Sequence, residues 1–129
     1  MESLQIKTGS ISLMILDDLG NERGIFTFNP EDVESARQVL LLQDEINERM
    51  DNFGQQVQEA TENADKVAIM SETINYLRGC VDQCFGEGTS DLVFGKSHTL
   101  SMFIDFLNGI TPYYAKAAEK RKAKYKKQK

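Results

Sequence analysis

The spacing of apolar positions along this chain changes from about two to three-and-four near residue 30, and that change predicts strands followed by helices. Leu4-Gln5-Ile6-Lys7 alternates, and Ile11–Leu16 is an apolar run. Asp17 to Arg23, with Gly20-Asn21 inside it, carries turn chemistry. Ile25-Phe26-Thr27-Phe28 resumes with β-branched and aromatic residues. This predicts a β-hairpin within residues 4–28, with a third short strand at 4–8. Asn29-Pro30-Glu31-Asp32 then reads as a helix start, with Asn29 capping and Pro30 at the first helical position.

One apolar stripe follows: Val39, Leu42, Ile46, Met50, Phe53, Val57, Ala60, Ala64, Val67, Met70, Ile74, Leu77, Val81 and Cys84. Steps of three and four place these residues on one helical face. The middle is weak, because Ala60 and Ala64 are small and residues 59–65 are polar. Two geometries fit: a helical hairpin that reverses near residues 59–64 with Asn63 capping the second helix, or one long helix that pairs with another molecule. A 55-residue helix far exceeds the usual length in a globular domain, which favours the hairpin.

Phe85–Gly95, FGEGTSDLVFG, reads as a joint between helices. Gly86 and Gly88 supply a helix stop, and Leu92 and Phe94 are apolar side chains that pack this loop onto the body or onto a partner. Ser97 or Thr99 can cap a third helix with an apolar face of Leu100, Phe103, Ile104 and Leu107. Gly109 ends it in this reading, and Thr111-Pro112 starts a fourth helix that runs into the C-terminal tail. The expected fold is α+β: a short N-terminal β-hairpin packed on a mainly α-helical bundle of about four helices. Residues 1–115 form a single domain, with helices over 30–114, and 116–129 form a basic tail. Ile25, Phe26 or Phe28 is expected to contact the first helix.

Charge sharpens the division. The net charge is −5, but residues 1–115 hold seven basic and nineteen acidic residues, a net of −12, whereas residues 116–129 hold eight basic and one acidic, a net of +7. A cationic extension on an acidic body suits an interaction arm, and lysines also suit the negative end of a helix. The apolar fraction of 40% is that of a globular chain. No run of 18 apolar residues offers a membrane span, and the N-terminus lacks the basic and apolar segments of a signal peptide. Cys80 and Cys84 share one helical face in poor geometry for a disulfide. They read as reduced thiols in a cytoplasm.

Catalytic chemistry finds little support. Gly95-Lys96-Ser97 resembles the end of a phosphate-binding loop, but Ser90 stands where the first glycine belongs. Asp91, Leu92, Val93 and Phe94 fill the stretch where close, unobstructed backbone N–H groups are required. His98, the lone histidine, has no cysteine or serine arrangement that singles out a nucleophile. Asp17-Asp18 and Glu31-Asp32 suit a turn and a helix cap. The reading is a binding or assembly protein, with no cofactor, no metal and no enzymatic activity.

The order of these features resembles a known family. The hairpin, then Ile25–Asp32 (IFTFNPED) opening a helix, Phe85–Gly95, and an aromatic helix with Thr111–Tyr114 (TPYY) are similar to tail assembly chaperones of long-tailed phages and prophages of Gram-positive bacteria. The similarity covers about residues 10–115 and leaves the basic tail aside. It implies a non-enzymatic protein of the host cytoplasm that binds the tape measure protein and helps recruit tail tube protein around it. Self-association is compatible with that role. Candidate partner-binding residues are Leu92, Phe94, Met102, Tyr113 and Tyr114, with Lys120, Arg121, Lys122, Lys124, Lys126 and Lys127 of the tail. Met50 and Met70 add adaptable apolar surface. Two other classes fit the sequence: a virion structural component of the tail or connector, and a small nucleic-acid-binding protein acting through the tail. The acidic body argues against broad contact with a duplex.

Overall fold

A computed structural model describes residues 1–127; the side chain of Lys127, with Gln128 and Lys129, lies outside the described residues. The order of elements is β1 (Ile11–Leu16), β2 (Glu22–Phe28), α1 (Val33–Glu59), α2 (Asn63–Phe85), α3 (Thr89–Phe94) and α4 (Ser101–Lys127). This is an α+β fold, a two-stranded antiparallel hairpin followed by four helices.

The hairpin forms because its turn is tied by one carboxylate. Asp17 Oδ1 accepts the backbone N–H groups of Leu19 and Asn21 at 2.9 and 2.8 Å. Ile11 pairs with Phe28 and Leu13 with Phe26, so Ile11, Leu13 and Ile15 face inward with the two phenylalanines. Met14 and Ile25 pair across the strands on the outer face. Residues 4–8 do not form a third strand. Leu4 and Ile6 are exposed, and only Thr8 is held, by Asn29 Nδ2 donating to its carbonyl at 3.0 Å.

The first helix begins later than Asn29. Asn29–Asp32 closes a turn, with the Asp32 N–H donating to the Asn29 carbonyl and Pro30 at the second turn position, where its fixed φ fits. Asp32 is the cap, accepting the Ser35 N–H at 2.9 Å. The helical stripe reverses at residues 60–62, as a hairpin of α1 and α2. Glu62 rather than Asn63 holds the capping position of α2, and it makes no side-chain capping bond.

The base of this hairpin belongs to the core, and its far half does not. Leu42, Ile46, Ile74, Leu77 and Val81 are buried, whereas Val67 is 65% exposed and Phe53 and Val57 are only half-buried. Gly86 stops α2 at φ 117, and Gly88, left-handed at φ 91, precedes α3.

α4 is one helix where the sequence predicts two. It runs through Gly109 and Pro112 to Lys127. Pro112 removes the donor for the Asn108 carbonyl, but Phe106, Leu107, Ile110 and Ala117 are buried on both sides of the break in pattern. That shared face keeps the helix continuous across the position meant to start a new one. The helix also crosses residues 115–116 without interruption, so the tail begins as packed helix.

The aromatic side chains join the layers. Phe26 lies 5.1 Å from Phe85 and 5.7 Å from Phe106, centroid to centroid. Phe94 packs edge-on against Phe103 at 5.0 Å. Phe28 stacks on Tyr114 at 5.8 Å. The aromatic contacts of the hairpin therefore go to α2 and α4, while Leu42 and Ile46 bring α1 into the same core. Each such ring contributes roughly 1.5–3 kcal/mol by burial.

Candidate functional site

A groove of ≈ 650 Å³ lies between β1 and the first half of α4. Its floor is apolar: Phe26, Phe94, Val93, Met102, Phe106 and Ile110. The sheet positions Leu13 and Ile15 inward on one wall, and the period of α4 sets Met102, Phe106 and Ile110 along the other at steps of four. The rim is polar, with Asp17, Asp18 and Asp105 outnumbering Arg23. β1 pairs with β2 on one side only, so its other edge carries no strand among the described residues. Asp17 is held below the ordinary carboxylate value, chiefly by the backbone hydrogen bond from Asn21.

The glycine-rich stretch is built onto this groove by two side chains of α2. Arg78 donates to Asp91 Oδ1 at 2.9 Å, to the Gly95 carbonyl at 2.7 Å and to the Ser97 carbonyl at 3.0 Å. Asp82, one turn on, accepts the Ser90 N–H at 2.7 Å and the Ser90 hydroxyl at 3.0 Å. Together they fix α3 so that Phe94 enters the core with only 4% of its surface exposed. Leu92 is half-buried against β2, where a Cβ added at Gly24 would lie 2.7 Å from its Cδ1.

Of the candidate binding residues, the fold brings Phe94 and Met102 to the groove. Tyr113 and Tyr114 lie further along α4, edge-on and stacked on Phe28. The Tyr114 hydroxyl shares a 2.7 Å hydrogen bond with Ser35 Oγ, and burial raises its pKa. Lys120 and Arg121 turn back onto the body, Lys120 Nζ at 3.0 Å from Glu31 Oε1 and Arg121 donating to the Glu31 carbonyl at 3.2 Å. Lys122, Lys124 and Lys126 are exposed. The Lys127 side chain lies outside the described residues.

Sequence reading missed Asp105, Phe106 and Ile110 as groove residues, because nothing local in the pattern tells a groove wall from a core face. It also missed Arg78 and Asp82, whose i,i+4 spacing on α2 is the one local signal that they share a face.

A second, smaller cleft of ≈ 180 Å³ lies between α1 and α2, lined by Glu45, Tyr76, Cys80 and Cys84 among others. The Tyr76 hydroxyl donates to Glu45 at 2.6 Å, and the Arg49 guanidinium sits 3.8 Å from the Tyr76 ring centroid. Burial pushes the Cys84 thiol up to about 11 and raises Cys80 as well. Neither thiol is an activated nucleophile. Among the described residues no group of three or more His, Cys, Asp or Glu could hold a metal ion, and no helix is long and apolar enough to cross a membrane.

Residues 22–129 match the model of a family of unknown function (DUF6673), and the chain belongs to that family. No curated protein and no solved structure matches it.

Proposed function

We propose that this chain is a non-enzymatic tail assembly chaperone of a long-tailed phage or prophage, acting in the host cytoplasm on the tape measure protein and promoting tail tube assembly around it. The observation that carries the reading is the groove between β1 and α4. An apolar floor about as long as two turns of α4, with adaptable Met102 in it, suits one face of an amphipathic helix. The polar rim keeps the empty groove compatible with water. The resemblance of Ile25–Asp32, Phe85–Gly95 and Thr111–Tyr114 to such chaperones supplies the identity of the partner.

The test is co-expression with the tape measure protein of a phage or prophage whose genome encodes this chain. The expected result is a soluble complex that Met102→Glu weakens at least tenfold while leaving the melting temperature within a few degrees. A tape measure protein equally insoluble with and without the chain overturns the reading. Recovery of the chain in stoichiometric amounts from purified particles replaces it with a virion component of the tail or connector.

A further inference from the structure

The groove and the tail of this chain have opposite charge, and one molecule cannot bring them together. The groove rim carries Asp17, Asp18 and Asp105 against Arg23. Lys122, Lys124 and Lys126 are exposed, beyond the Lys120–Glu31 contact that ties the tail to its own body. Lys122, Tyr125 and Lys126 fall on one helical face at steps of three and four. Tyr125 is 61% exposed, a large amphipathic ring at the edge of a cleft of ≈ 370 Å³ that it shares with Glu31, Ala117 and Arg121 of its own chain. Because α4 is unbroken, Tyr125 stands about 22 Å of helix beyond Ile110, the last residue of α4 that lines the groove. The tail therefore points away from its own groove at fixed distance.

We propose that the occupant of the groove, before any other partner, is the basic end of α4 from a second copy of this chain. In that arrangement Tyr125 lies over the floor of Phe106 and Met102, and Lys122 and Lys126 reach the rim carboxylates of Asp18 and Asp105. The contact joins two different surfaces, so it generates reciprocal dimers if the geometry closes and head-to-tail chains if it does not. The electrostatic part is exposed at the rim and is screened by salt, with a Debye length of about 14 Å at 0.05 M by the same scaling that gives 3 Å at 1 M.

Sedimentation velocity on the full chain tests this. Self-association is expected at about 0.05 M salt and is expected to weaken at least tenfold by about 1 M. A tail variant, Lys122→Glu with Lys124→Glu and Lys126→Glu, should be monomeric, and so should a groove variant, Asp18→Lys with Asp105→Lys. Mixing these two variants should restore a complex, because each supplies the reversed partner of the other. Circular dichroism confirms that both variants fold. A wild-type chain that stays monomeric at low salt overturns the proposal, as does an association that survives both variants or a mixture that forms no complex. A tail that instead retains duplex DNA at 0.15 M salt in preference to a second copy also overturns it. The inference uses the groove without using the identity of the tape measure partner. Loss of tape-measure binding with self-association intact sinks only the chaperone reading, and the converse sinks only this one.

Discussion

Arg78 Nη2 lies 2.7 Å from the carbonyl oxygen of Gly95, seventeen positions away. The same guanidinium reaches Asp91 and the Ser97 carbonyl, and its side chain is 11% exposed. A stretch with three glycines and a short helix is held by α2 rather than by its own local preferences.

Replacing Arg78 tests that dependence. Arg78→Ala removes three charge-assisted hydrogen bonds and should lower stability by about 2–3 kcal/mol. Arg78→Lys should fall between the two, because an ammonium cannot span three acceptors as a planar fork does. Urea unfolding should show a lower midpoint with unchanged slope. An unchanged midpoint for Arg78→Ala means that Asp82 and the packing of Phe94 and Leu92 hold α3 without it.

The continuity of α4 gives a prediction of opposite sign. Gly109 has helical rather than positive φ, and a Cβ built there meets no atom within 4 Å. Gly109→Ala should therefore raise stability by roughly 0.5–1 kcal/mol, the cost of glycine in a helix interior. A lower melting temperature would falsify the single-helix geometry and restore a break at that position.

The thiols give a pH-dependent test. Burial raises Cys84 from the ordinary 9.0 to about 11, so folding favours its neutral form. Its influence on stability is absent below pH 9 and appears as a loss of stability as pH climbs between 9 and 11. At pH 8 its thiolate fraction is about a hundredfold below that of an unperturbed thiol. Iodoacetamide should label Cys84 correspondingly slowly in the folded chain and at the ordinary rate in urea. Equal rates in the two states rule out a buried thiol.

The fold was legible where local chemistry and packing agree. The alternation around Phe26 and Phe28, the stop at Gly86 and the reversal after Glu59 all follow from patterns that tertiary contacts reinforce. Reading failed where packing overrides the local signal. Thr111-Pro112 is a strong helix start in isolation, yet Ile110 and Ala117 are buried on one face across it. Asn29-Pro30 likewise resembles a cap, but Asp32 three residues on has the free carboxylate and takes the role. The groove was half legible: Met102 and Phe94 were singled out, but Asp105 and the edge of β1 meet them only through the packing of α4 on the hairpin. The tail was read correctly as cationic, while its first turns turn out to be anchored through Ala117, Lys120 and Arg121.

The uneven burial of the α1–α2 pair divides the molecule by resistance to opening. At the base, Ile46, Ile74 and Leu77 are almost wholly covered, so separating the two helices there means dismantling the entire core. Toward Glu59 and Asn63 the seam thins to half-buried Phe53 and Val57 opposite exposed Val67. The far turns can part without disturbing the aromatic cluster. The pair thus works as a zipper with one locked end, and amide exchange along α1 should quicken from Ile46 outward while the hairpin, α3 and the groove keep their shape.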